Sequence, residues 1–290
     1  MQSVNGLVLA NFIFLFITLS TLIVVILDRF SWKQYLDKRN EPDYFVTLSY
    51  EILPVMLIIM VIRTYIYEPF TIPSESMYPQ LTQGDVIVVS KSSYSLKFPF
   101  TNFPLVNLNS PKQGEVAVFK YPLDQNSYFI KRVIGTPGDK LVWEGDDFFI
   151  NGKKVQREAT VPNAAPIYAY GDRYTWEMIG DRKYQIRRIS NDDSSRFAET
   201  STFLILKTKN DKWSEVAGYK NERLEVTVPQ GHYFVMGDNR DMSLDSRVWG
   251  FVDERLFVGK AKYLILHIDP KQPIWRLWEK IKFKRNKVIQ

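Results

Sequence analysis

The sequence predicts a membrane-anchored, mostly β protein. Two observations carry that prediction: two long apolar runs at the N-terminus and a series of short alternating segments after them. With 45% hydrophobic and 24% charged residues over 290 positions, the balance is that of a globular protein, which excludes disorder across the whole chain.

The first apolar run spans Leu7 to Leu27, and no Asp, Glu, Lys or Arg occurs before Asp28. As a helix it is long enough to cross about 30 Å of hydrocarbon. A cleaved export signal would carry a basic start, a shorter apolar stretch and a small-residue cleavage site; none is present, so a retained anchor is expected. The second run is wholly apolar from Ile52 to Ile62, and aromatic residues at Phe45, Tyr50, Tyr65 and Tyr67 extend it into a span over about 47–66. Between the spans lie Arg29, Lys33, Lys38 and Arg39, while nothing basic precedes the first. The excess of positive charge on this connector predicts that it is cytoplasmic and that everything from about Glu68 onward is outside.

In that outer part the period changes from helical to alternating. "DVIVVSK", "EVAVFKY", "YFIKRVIG", "FLILKTK", "LEVTVPQGHYFVMGD" and "KAKYLILHI" read as strands, and "DDFFINGKKV" reads as strand, Asn-Gly turn, strand. Residues 156–226 are more polar and separate two motif-rich blocks, which predicts an inserted β subdomain. The expected organisation is an anchor over 1–67, a first part of the core over 68–140, the insertion over 141–227, a second part of the core over 228–270 and a basic tail over 271–290. The net charge of +6 resides in that tail, so it does not point to nucleic acid. In the tail, Ile274, Leu277, Trp278 and Ile281 follow helical spacing beside Arg276, Lys280, Lys282 and Lys284, a pattern suited either to anionic lipid or to a solvated basic end.

The lack of cysteine rules out a thiol nucleophile and a thiolate metal site. Attention falls on "IPSESMYPQL", residues 72–81, where Ser74 and Ser76 stand two apart between Pro73 and Pro79. In an extended backbone their hydroxyls would share one side, although the same composition also suits a linker. A nucleophilic serine needs a base, and His267, in an apolar strand, and His232, in a turn, are poor candidates. Lys131 is better placed: in "YFIKRVIGTPGD" alternation sets it with Phe129 and Val133, and desolvation there would lower its pKa. A lysine snorkelling from a sheet edge would read the same way. The third block, "GDNRDMSLDSRVWG", gathers Asp238, Asp241, Asp245, Arg240 and Arg247 around Ser243 and Ser246. Its acidic spacing lacks the order of a calcium-binding EF-hand, which leaves a salt-bridged loop as the plain reading.

Together "EPFTIPSESMYPQL", "YFIKRVIGTPGD" and "GDNRDMSLDSRVWG", in this order behind two spans, resemble bacterial type I signal peptidase. The resemblance implies a β-rich catalytic domain anchored in the bacterial cytoplasmic membrane and facing the periplasm, with no cofactor and no metal. Its implied partners are exported preproteins, membrane phospholipid and the nearby translocation machinery, and its implied substrate is a signal peptide cut after small residues. It implies Ser76 as nucleophile, Lys131 as general base, Ser74 and the Ser76 N–H as oxyanion hole, Ser243 as the residue orienting the lysine, and Asp245 and Arg247 as supports. Family members often have Gly between the two serines, where this chain has Glu75. Two rival readings are a self-cleaving repressor-type Ser-Lys protease and a membrane-anchored binding protein without activity.

Overall fold

A computed structural model describes residues 2–32, 44–97, 104–144, 147–161, 172–189, 217–220, 223–269, 272, 281–283 and 287–289. The chain divides into two units, Met1–Tyr67 and Glu68–Gln290.

In the first unit, α1 (Gln2–Leu27) runs without a charged side chain and continues into a π-helical turn at Asp28–Trp32. α2 (Tyr44–Val61) likewise continues into a π-helical turn at Ile62–Ile66. Hydroxyls within the helices are satisfied locally: Thr18 donates to the Phe14 carbonyl and Ser49 to that of Phe45, each at 2.8 Å. Such internal bonding suits an environment without water. The same logic accommodates Pro54 inside α2. The stretches Ile13–Phe30 and Tyr44–Ile66 are long and apolar enough to cross a bilayer, and Phe16, Ile23 and Ile58 point outward. Lys33, Lys38 and Arg39 lie outside the described residues.

The second unit is built of strands. In chain order they are β1 (Tyr67–Thr71), β2 (Asp85–Ser90), β3 (Ser95–Lys97), β4 (Pro104–Asn107), β5 (Val116–Tyr121) and β6 (Asp124–Gly135), followed by β7 (Lys140–Glu144), β8 (Asp147–Ile150) and β9 (Lys153–Lys154). The polar stretch supplies β10 (Gln156–Thr160), β11 (Asp172–Ile179), β12 (Arg182–Ile189), β13 (Ala217–Lys220) and β14 (Arg223–Thr227). The chain returns through β15 (His232–Met236), a short helix α3 (Ser246–Trp249), β16 (Val252–Asp253), β17 (Phe257–Ile268), β18 (Ile281–Lys282) and β19 (Lys287–Val288).

The principal sheet has nine strands among the described residues, ordered β1-β2-β17-β5-β6-β15-β16, with β18 and β19 against β17. β5 and β6 pair antiparallel with Ala117 opposite Lys131 and Val116 opposite Arg132. Alternation along these strands feeds two apolar layers. Val116, Val118 and Ile130 pack with Ile72, Met77, Leu81 and Ile87, while Ala117, Phe119 and Val133 pack with Val235, Trp249 and Phe257. A third layer, including Leu141, Trp143, Phe148, Ile186 and Phe234, joins the other sheets to the first.

The Asn-Gly turn is present between β8 and β9, with positive φ at Asn151 (52°) and Gly152 (78°), as a two-residue hairpin turn of this kind requires. The span 141–227, read from the sequence as one inserted subdomain, divides into two sheets: β13-β14-β7-β8-β9, and β10-β11-β12. The strand read from "FLILKTK" and most of the tail helix lie outside the described residues. At the far end of that helix, Ile281 and Lys282 are instead strand, paired with Ile268 and His267 of β17.

Candidate active site

Ser76 sits in a turn rather than in a strand. β1 ends at Thr71, residues 74 and 75 bend, and a turn follows over 76–80. The next side chains, Met77 and Tyr78, are fully buried, as is Leu81, and Met77 joins Ile72 and Leu81 in the core. Each such side chain contributes roughly 1.5–3 kcal/mol on burial, so the turn is held down on both sides of Ser76. The extended backbone expected from the sequence is therefore replaced by a bend. The hydroxyls still converge, with Ser74 Oγ 3.4 Å from Ser76 Oγ. Glu75 turns toward the following loop, where its Oε1 accepts the Gln83 N–H at 3.1 Å.

Lys131 reaches this turn from β6, and its Nζ donates to Ser76 Oγ at 2.5 Å. Among the described residues this is its only hydrogen bond; the Phe129 ring lies 5.8 Å away on the same strand face. Burial lowers the Lys131 pKa to about 8, opposed by the Asp245 and Asp238 carboxylates and aided by the Arg247 guanidinium. An amine at that value is partly neutral near physiological pH and can accept a hydroxyl proton.

The loop after β15 wraps the other side of the site. The Asn239 N–H donates to the Ser76 carbonyl at 3.1 Å, and Asn239 Nδ2 donates to the Glu75 carbonyl at 3.0 Å. Gly237 lies against Ser76 and Ser243: a Cβ there would collide with Ser243 Oγ and the Ser76 carbonyl, so only glycine fits. Asp245 accepts the Gly237 N–H at 2.9 Å and caps α3 through the Arg247 N–H. Arg247 returns Nε and Nη2 to the two Asp245 oxygens, each at 2.9 Å, and reaches the Arg240 carbonyl. Burial pushes the Asp245 carboxyl up; Arg247, the Gly237 N–H and Lys131 more than reverse this and hold it below its ordinary value.

Of the residues expected at the site, Ser74, Ser76 and Lys131 come together directly, and Asp245 with Arg247 braces the loop beside them. Ser243 is present but differs from expectation. Its buried hydroxyl has no hydrogen-bond partner among the described residues and rests against Gly237, so the bond to Lys131 expected of it is not formed. Of the histidines, His267 meets the buried Asp85 at 2.9 Å, and His232 Nδ1 lies 2.9 Å from the Gln230 carbonyl; neither enters the site.

Sequence reasoning missed the ion pairs behind the loop. Arg132 meets Asp238 through Nε and Nη2 at 2.8 and 2.7 Å, and Arg240 forms a fully buried pair with Glu177 of β11. Burial raises the Glu177 carboxyl, but Arg240 and Arg157 dominate and hold it well below the carboxylate range. Arg187 of β12 pairs with Asp172 and donates to Asn239 Oδ1 at 2.8 Å. Only the charge-rich composition of residues 237–250 hinted that such partners were needed. Among the described residues no cluster of three or more His, Asp or Glu side chains is placed to hold a metal ion.

Comparison with known proteins bears on this geometry. The family described as signal peptidase, peptidase S26 matches residues 45–266. A signal peptidase I of Buchnera aphidicola (subsp. Acyrthosiphon pisum) is 33% identical over 304 residues, covering 92% of this chain and 96% of the relative. A signal peptidase I of Pseudomonas fluorescens is 34% identical over 237 residues, covering 78% of this chain and 74% of the relative.

Proposed function

The chain belongs to the signal peptidase family, peptidase S26, and from that premise we propose that it cleaves signal peptides with Ser76 as nucleophile and Lys131 as general base. It is a membrane-anchored serine endopeptidase. The observation that carries the assignment of the dyad is the 2.5 Å contact between Lys131 Nζ and Ser76 Oγ, formed where burial favours the neutral amine.

In the proposed mechanism, neutral Lys131 takes the Ser76 proton as Oγ attacks the scissile carbonyl. The developing oxyanion is held by the Ser74 hydroxyl and the Ser76 N–H. Collapse expels the amine of the mature protein, which takes the proton from Lys131, and leaves the signal peptide as an ester on Ser76. Lys131 then deprotonates a water that attacks the ester and releases the peptide with Oγ reprotonated. The chemistry calls for no cofactor.

The substrate is an extended segment with small residues such as alanine at the first and third positions before the cut. β1 is the last strand in the order of the principal sheet, and the chain from Glu68 to Ser76 offers it an edge for β-addition. Excess basic charge on the connector between the spans supports a catalytic unit on the periplasmic side of the bacterial inner membrane; anionic phospholipid and the translocation machinery that delivers preproteins are its proposed neighbours there.

Cleavage of a purified preprotein by the detergent-solubilised enzyme tests the reading. Ser76→Ala is expected to lose all measurable cleavage, and Ser74→Ala about a hundredfold in kcat, the usual cost of one oxyanion donor. Cleavage by Ser76→Ala at a rate near that of the unsubstituted enzyme would refute the assignment.

A further inference from the structure

We propose that Arg187 is a positioning residue for Ser76, acting across the three-stranded sheet of β10 to β12 through Asn239; this rests on the assignment of Ser76 and Lys131 above. The contact chain is continuous. Asp172 on β11 accepts Arg187 Nε at 2.9 Å and Nη2 at 2.7 Å. The remaining arm of the guanidinium, Nη1, donates to Asn239 Oδ1 at 2.8 Å. Asn239 in turn holds the turn of the nucleophile at two places, its backbone N–H on the Ser76 carbonyl and its Nδ2 on the Glu75 carbonyl.

Why the guanidinium matters follows from the chemistry of a carboxamide. Its two ends are nearly equal in size and opposite in function, one accepting and one donating. With Oδ1 engaged by a fixed cation, the amide has one orientation, and Nδ2 must face the Glu75 carbonyl. Without Arg187 either orientation becomes accessible, and the flipped one would set oxygen against oxygen. The Glu75 carbonyl then loses its donor while the backbone bond to the Ser76 carbonyl remains, so the turn is restrained at one place instead of two and Ser76 Oγ loses its aim at Lys131.

Three further features fit a positioning role. Asn239 is fully buried and Arg187 nearly so, which removes water as a substitute partner. The backbone joins as well: the Arg187 N–H donates to the Asp238 carbonyl at 2.9 Å, a parallel bridge that docks β12 directly on the catalytic loop. Asp172 fixes the guanidinium plane through two donors, so the third points in one direction. A lone salt bridge would need none of this alignment.

The test is a double-mutant cycle on the full-length enzyme in detergent, with kcat and KM measured separately on a peptide spanning a signal-peptide cleavage site. Arg187→Ala and Asn239→Ala are each expected to lower kcat by about tenfold to a hundredfold with KM within about threefold, because a misaligned nucleophile slows the chemical step rather than binding. The double variant is expected to lose no more than Asn239→Ala alone, since both act through one contact. Multiplied losses, or a raised KM at unchanged kcat, would overturn the proposal. Arg187→Lys guards against a folding defect: lysine keeps the charge beside Asp172 but cannot span Asp172 and Asn239 in one plane. It is expected to melt within a few degrees of the unsubstituted enzyme and still lose about fivefold or more in kcat; full kcat in this variant also overturns the proposal. Ser76→Ala is carried alongside. Cleavage by Ser76→Ala would show that the dyad assignment has failed, whereas an inactive Ser76→Ala with multiplied losses in the cycle would show that only the Arg187 proposal has failed.

Discussion

Arg132, fully buried, meets both oxygens of Asp238, gives Nη1 to the Gly114 carbonyl at 2.6 Å and lies 3.7 Å over the Tyr184 ring. Lys131, one residue earlier on the same strand and 4% exposed, has one hydroxyl. Strand alternation sends the two cations to opposite faces. On one face charge is stabilised by every group within reach, which braces the loop after β15. On the other, the carboxylates of Asp238 and Asp245 are committed to Arg132 and Arg247, so they act on the lysine only at a distance. Spending the acidic groups on arginines leaves the lysine desolvated and its amine available. Both cations are buried, so what separates them here is their partners together with the guanidinium's inability to give up its proton.

The largest effect comes from making the two alike. Lys131→Arg places a permanently charged group beside Ser76, and cleavage of a peptide substrate is expected to fall by at least about a thousandfold. Activity within tenfold of the unsubstituted enzyme would break the comparison. Next, Arg132→Met strands the Asp238 carboxylate in the interior at a cost of about 3–5 kcal/mol, read as a lower unfolding midpoint in denaturant. A variant as stable as the parent would mean that the arginine network is not what braces the loop.

The pH dependence comes next in size. kcat/KM is expected to rise with unit slope in its logarithm and to level off above pH about 8, where Lys131 is neutral. A profile still climbing at pH 10 would mark an unshifted lysine. Stability has its own sign. The folded pKa lies below that of the unfolded chain, so between about pH 8 and about 10 the unfolded chain binds more protons and stability rises with pH. Below pH 8 the buried ammonium carries its full cost. Lys131→Met is therefore expected to melt higher than the parent at pH 6–7 and to lose that advantage as pH climbs through 8 towards 10.

The smallest effect concerns Ser243. With no hydrogen bond to lose, Ser243→Ala is expected to leave stability within about 0.5 kcal/mol of the parent and to lower kcat by less than about tenfold. A loss above a hundredfold would show that its hydroxyl engages the lysine amine during turnover.

Much of this was legible because it is local. Lys131 stood out through its apolar neighbours on a strand, and the Asp245–Arg247 bracket closes over two positions. The convergence of Ser74 and Ser76 was anticipated on the wrong geometry: burial of Met77 and Leu81 wins over extension, and a bend brings the hydroxyls together. The partners of Asp238 and Arg240 were not legible, because Arg132 is 106 residues from the first and Glu177 63 from the second. Nothing in spacing or propensity joins segments so far apart. The polar stretch reads as an insertion for the same reason: Arg187 meets Asp172 and Arg157 meets Glu177 within its own sheet, whereas Glu177 finds Arg240 only where β11 docks on the loop.

The bond from Asn239 to Glu75 spans 164 positions of chain. A site closed over such a distance cannot be assembled from an incomplete polypeptide: a fragment ending short of Asn239 contains both Ser76 and Lys131 but lacks the loop that fixes the turn between them. Contacts of this range are slow to form, because the entropy of the intervening loop must be overcome first. If Ser76 is the nucleophile proposed above, a chain still being synthesised carries it unaimed until Asn239 has been made and the loop after β15 has docked on the turn.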